Sequence, residues 1–202
     1  MLSCSKISLK YGENRILSEV SFSLLQGSIS IIRGPNGSGK TSLLKSLATI
    51  IKINDGEITW QDKNIFSNQI YLSHLCYVGH KLAIKPELTV LENLQFWAAL
   101  KDTYLLIPAS LAFFDLDEYA TTLAYELSMG WQKRLALARL MVTNTMIWLL
   151  DEPEVNLEPQ AIHQMLNLIV TRANQGGIVI IASHNEVIYQ NFQQIFLRDF
   201  NI

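Results

Sequence analysis

The chain has 202 residues, 49% hydrophobic and 17% charged, with a formal net charge of −2 at pH 7. That length suits one domain with a sizeable core, and the mean hydropathy of +0.18 fits either a well-filled core or an apolar face kept for a partner. The charge balance gives no sign of a nucleic-acid-binding surface.

The N-terminus, MLSCSKISLKYG, lacks a long apolar stretch, so no signal peptide is expected. Residues 3–9 alternate polar and apolar and predict a half-buried strand, with a turn at Tyr11-Gly12. Residues 18–25 alternate again, with Val20, Phe22 and Leu24 on one face. With residues 56–60 these predict an antiparallel sheet beside a nucleotide-binding core. Tyr11 reads as a turn or core tyrosine, or as a flat platform for an adenine ring. Cys4 and Cys76 are far apart and form no C-x-x-C, which predicts reduced structural thiols.

Residues 29–32 read as a short buried strand and residues 41–47 as the start of an apolar-periodic helix. Between them, Gly34-Pro35-Asn36-Gly37-Ser38-Gly39-Lys40-Thr41 fits G-x-x-x-x-G-K-[ST], the phosphate-cradling loop. Strand, glycine-rich turn and helix N-terminus together aim backbone N–H groups and a helix dipole at phosphates. Lys40 is expected to reach the outer phosphates and the Thr41 hydroxyl to hold Mg²⁺.

Residues 75–78 predict a strand ending at Gly79-His80. Residues 90–114 turn helical, with Leu91, Leu94, Trp97 and Ala98 on one face and a break at Pro108. The longest apolar run, residues 105–114, contains that proline, and no run reaches the ~20 residues of a spanning helix. Any membrane role is therefore expected to pass through another subunit. Ser128 is a candidate N-cap for a helix over residues 132–140, or a second anion site. Residues 146–150 and 178–182 read as buried parallel strands. The first ends in Asp151-Glu152, the second is followed by Ser183-His184-Asn185, and residues 157–173 form a helix with Ile162, Leu166 and Ile169 inward. Adjacent buried carboxylates are costly unless used. Asp151 is expected to bind Mg²⁺ and Glu152 to orient or deprotonate water, the alternative being a solvated acidic turn. His184 lies on the edge where open α/β sheets bind ligands, as a phosphate sensor or as a structural histidine. His80, on the same kind of edge, stays open.

The order of these motifs resembles the ATP-binding cassette (ABC) ATPase domain over essentially the whole chain. The resemblance implies an α/β P-loop fold with a parallel core sheet, an N-terminal antiparallel β-subdomain and a helical subdomain inserted at about 81–145, all within a single domain, 1–202. It implies an ATP-binding set of Tyr11, Gly34, Pro35, Asn36, Gly37, Ser38, Gly39, Lys40, Thr41 and Ser42. It also implies catalytic Glu152, His184 and Lys40, Mg²⁺ on Thr41 and Asp151, and a signature of Leu127, Ser128, Met129 and Gly130 acting on the ATP of a second subunit. The departures are His80 for the usual glutamine, Met129 for glycine, Trp131 for glutamine, Glu158 for aspartate and Asn185 for an acidic residue. An imidazole at His80 remains able to bind Mg²⁺ or water.

Residues 77–81, 85–94 and 127–134 further resemble the ATP-binding subunits of cytochrome c maturation (haem-export) complexes. This implies a homodimer of ATPase subunits, peripheral on the cytoplasmic face of the inner (plasma) membrane and bound to integral membrane subunits. It implies no nucleic-acid partner. With no C-x-x-C-H in the chain, no direct haem binding is expected. Another ABC transporter, a soluble ABC ATPase, and a nucleotide-dependent binding module without turnover are the alternative readings.

Overall fold

The computed structural model describes residues 1–185 and 192–197. The described residues divide into two compact units, the first made of residues 1–77, 146–152, 172–185 and 192–197, the second of residues 78–145 and 153–171.

The first unit contains, in chain order, β1 (Leu2–Tyr11), β2 (Asn14–Leu24), β3 (Ile29–Arg33), α1 (Lys40–Leu47), β4 (Asp55–Trp60), β5 (Lys63–Asn64), α2 (Gln69–Ser73), β6 (Leu75–Val78), β7 (Ile147–Asp151), β8 (Ile178–Ala182) and β9 (Gln193–Phe196). Four strands form an antiparallel sheet in the order β2-β1-β4-β5. Its inward alternation shifts phase within β1: Leu2 and Cys4 are buried, then Ile7 and Leu9. A register shift between Cys4 and Ile7, with Lys6 at φ +49°, consumes the extra residue, as a β-bulge does.

The second sheet has the order β6-β7-β8-β3-β9. β7 with β8, and β3 with both β8 and β9, pair in parallel. β7 and β8 are buried along their whole length, which is why both read as unbroken apolar runs rather than alternating ones. Their C-terminal ends fall in register, Asp151 opposite Ala182. β9 was not legible, because Gln193 and Gln194 give its edge position little apolar pattern.

The second unit is built on α3 (Val90–Ala99), α4 (Ile107–Phe113), α5 (Met129–Thr143) and the body of α6 (Pro159–Asn174). Thr89 and Glu92 form a reciprocal cap at the start of α3. Contrary to the expected break at Pro108, the proline opens a helix: it sits in the first turn of α4, where its missing N–H costs nothing. The buried face of α3 is Val90, Asn93, Leu94 and Ala98, with Leu91 and Trp97 only half-buried. On α6 the buried positions are Ala161, Met165, Leu168, Ile169 and Ala173. Ile162 and Leu166 flank that stripe instead of filling it, because alanine and methionine occupy the positions nearer the core. Among the described residues no helix is long and apolar enough to cross a membrane.

Candidate functional site

The phosphate loop leaves β3 at Arg33 and becomes α1 at Lys40. Two of its glycines cannot carry a side chain. Gly39 has φ +92°, and a Cβ there would meet Leu17 Cδ2 at 2.8 Å and Ile16 Cγ2 at 2.9 Å. Gly34 has φ +154°, and its Cβ would collide with Ser38 Oγ. Pro35, Asn36 and Gly37 are exposed, and Ser42 is half-buried in the first turn of α1. Lys40 is 8% exposed, and its ammonium donates back to the carbonyls of Gly34 at 2.7 Å and Pro35 at 2.9 Å. These neutral acceptors hold the cation over the loop until a stronger anion offers itself.

Thr41, next in the chain, donates from Oγ1 to Asp151 Oδ1 at 3.2 Å. Asp151 ends β7 and is 1% exposed. Its other oxygen accepts a long bond from the Tyr77 hydroxyl at 3.5 Å. Burial, then the Asp151 charge, pushes the Tyr77 hydroxyl well above its usual pKa. Tyr77 thus stays a neutral donor. It was missed as a site residue, since a tyrosine in a strand carries no signal beyond its need for a hydroxyl partner.

Glu152 turns the chain out of β7 at φ +46°, and its N–H donates to Ala182 O at 2.8 Å. His184 leaves the neighbouring strand, and its Nδ1 lies 3.0 Å from Glu152 Oε1. The histidine side chain is 61% exposed and the glutamate 23%, so the pair borders solvent. Tyr11, at the end of β1, is 52% exposed. The first unit therefore holds Lys40 on its own loop carbonyls, bonds Thr41 to Asp151 and sets Glu152 against His184, with Tyr11 exposed at its surface.

Within the second unit, Ser128 caps α5, its Oγ accepting from Trp131 N–H at 3.4 Å. A cleft lined by Ser128, Gly130, Trp131, Arg134, Asn156 and Glu158 opens beside it. A Cβ on Gly130 would lie 2.9 Å from the Asn156 carbonyl. Arg134 is paired with Asp115 at 2.8 Å and lies 4.6 Å over the Trp131 ring, which in turn rests against Tyr119 at 4.4 Å. Met129 is exposed, and Leu127 is a core residue. His80 is exposed in the same unit.

A glycine-rich loop joining a buried parallel strand to a helix, with a carboxylate on the next-but-one strand bound to the helix's threonine, defines a P-loop nucleotide-binding protein. Residues 17–155 match the ABC transporter family. The chain belongs to that family, as an ATPase subunit of the ABC type. It is 39% identical over 203 residues to the cytochrome c biogenesis ATP-binding export protein CcmA of Wolbachia pipientis, covering 100% of this chain and 98% of that protein. The same-named protein of Rickettsia typhi is 38% identical, covering 98% and 99%. Among solved structures, a putative ABC transporter ATP-binding protein from Pyrococcus furiosus superposes with a TM-score of 0.83 at 27% identity, covering 97% of this chain and 96% of that one. The expected architecture of parallel core, antiparallel sheet and helical insertion is the one found.

Proposed function

We propose that the chain hydrolyses MgATP as one half of a dimer and drives the membrane subunits of a complex that exports haem or serves its delivery during cytochrome c maturation. The observation that carries the nucleotide chemistry is the Thr41–Asp151 bond beside the Lys40-closed loop. A hydroxyl and a carboxylate are hard oxygen donors, and Mg²⁺ commonly takes one or two such groups together with substrate phosphates. Thr41 and Asp151 would hold the ion, which when bound neutralises charge on the phosphate oxygens. Lys40 exchanges its two carbonyls for the outer phosphates. Glu152 accepts a proton from the water that attacks the γ-phosphorus, and ADP departs. His184 Nδ1 keeps the Glu152 carboxylate oriented. Tyr11 offers an exposed face to the adenine.

The second anion-accepting helix start, at Ser128, is read as serving the ATP of a second copy. The cytochrome c assignment is supported by the names of the relatives, and it carries a location on the cytoplasmic face of the inner membrane. The test is to solubilise membranes, capture the chain and identify the integral membrane proteins that accompany it. Partners whose loss abolishes cytochrome c assembly support the reading. Capture with a different class of membrane transporter points to another substrate.

A further inference from the structure

Arg33 ends β3, directly before Gly34 of the phosphate loop, and is 7% exposed. A charged group at the end of a buried strand needs partners. Its Nε donates to Gln194 Oε1 at 2.7 Å and its Nη1 to the Ser183 carbonyl at 3.3 Å. Gln194 lies in β9 and Ser183 directly follows β8, the two strands that flank β3. Among the described residues its partners are thus two neutral oxygens, one on each side. Arg33 therefore ties the end of β3 to the residue that follows β8 and to the body of β9, where Gln194 stands opposite Ile31.

The Ser183 carbonyl matters because it belongs to the peptide that leads into His184. A peptide unit is planar, so fixing its oxygen fixes the N–H and Cα of the next residue. Ser183 is also held from its other side, where its Oγ accepts the Asn185 N–H at 2.9 Å. His184 is largely exposed, and among the described residues its ring contact is Glu152. Its position is set by its backbone more than by packing around the ring. We infer that Arg33 is a positioning residue, which couples the start of the phosphate loop to the segment carrying His184 and so holds the His184–Glu152 pair in register with the phosphates. The inference rests on the ATPase reading above.

The experiment is a cycle of Arg33→Met, His184→Ala and the double variant, with steady-state ATP turnover of the purified chain as readout. Arg33→Met is expected to keep its melting temperature and its KM for ATP, and to lose about tenfold in kcat, within the roughly hundredfold that a 1 Å misplacement can cost. In the His184→Ala background the same substitution should change kcat by less than about twofold, because its route is already cut. Gln194→Leu, which removes one anchor without touching β3, should lower kcat by about threefold and be silent in the same background. It stands in if Arg33→Met does not fold. Unchanged turnover, or losses that multiply with those of His184→Ala, overturns the inference. Lys40→Ala measured alongside separates the two levels. If it abolishes turnover while Arg33→Met does not alter it, the coupling is wrong and the ATPase reading stands; if Lys40→Ala retains turnover, the ATPase reading itself falls.

Discussion

Glu152 and His184 are 32 residues apart in the chain, yet their side chains meet at 3.0 Å. The contact follows from sheet register. β7 and β8 run parallel with Asp151 opposite Ala182, so the residues that leave the two strands emerge side by side. The left-handed turn at Glu152, fixed by its N–H on the Ala182 carbonyl, points its carboxylate toward the neighbouring exit. Glu152→Gln keeps the size of the side chain but removes the carboxylate proposed to accept a water proton. Turnover should fall by about 10²–10⁴-fold while ATP binding persists, as measured by nucleotide retention on the purified chain. Full activity would move the base to another carboxylate.

Thr41→Val removes the hydroxyl that donates to Asp151 while keeping the shape of the side chain. The Mg²⁺ concentration for half-maximal turnover should rise by about 10–100-fold, the usual cost of disturbing a metal ligand's surroundings, with little change in melting temperature. An unchanged Mg²⁺ requirement would show that this hydroxyl does not serve the metal.

Tyr11→Ala should weaken ATP binding by about 1–3 kcal/mol, the range for a base stacked on an aromatic ring, whereas Tyr11→Phe should bind nearly as the parent does. Equilibrium titration with a fluorescent ATP analogue distinguishes them. Equal binding by the two variants would remove Tyr11 from the site.

Cys4 lies 3% exposed in the antiparallel sheet, and burial pushes its thiol far above the ordinary value. A raised folded pKa contributes stability that is complete below the unfolded thiol's pKa of about 8.5 and is lost as pH rises toward the folded value. Above that point the unfolded chain releases a proton that the folded chain keeps, costing about 1.4 kcal/mol per pH unit. Urea unfolding from pH 8 to 10 should therefore show a decline that Cys4→Val flattens. Equal slopes in both proteins would contradict this.

The phosphate loop was legible because glycine spacing, flanking strand and following helix all state one requirement. β7 and β8 were legible because strands covered on both faces lose their polar alternation. The phase shift in β1 was not, since a bulge depends on cross-strand packing, here on Gly56 of β4 lying so close to the Lys6 carbonyl that a Cβ would collide with it. The start of α4 was misjudged because a proline that breaks one helix and a proline that opens another look alike in a run of apolar residues. Arg33 went unnoticed because a single charge at a strand end gives no clue to its partners, which lie 150 and 161 residues away. Tyr77 is a similar case: only the fold brings its hydroxyl to Asp151.

The proposed sharing of sites between two copies predicts complementation. A Lys40→Ala chain and a Ser128→Arg chain should each be inactive, and mixing them creates one site with both lesions and one with none. ATP binding or turnover that emerges only on mixing supports a dimer with shared sites. Its absence, with mixed dimers shown by cross-linking, would return Ser128 to the role of a simple helix cap.

The most direct test of the central claim is steady-state phosphate release by the purified chain with ATP and Mg²⁺, compared with Lys40→Ala. In the proposed mechanism Lys40 supplies the positive charge at the outer phosphates, in a reaction that runs mainly on positioning and electrostatics. Turnover by the parent chain and a loss of at least about 10²-fold in the variant are expected. Equal phosphate release by the two proteins would contradict the account.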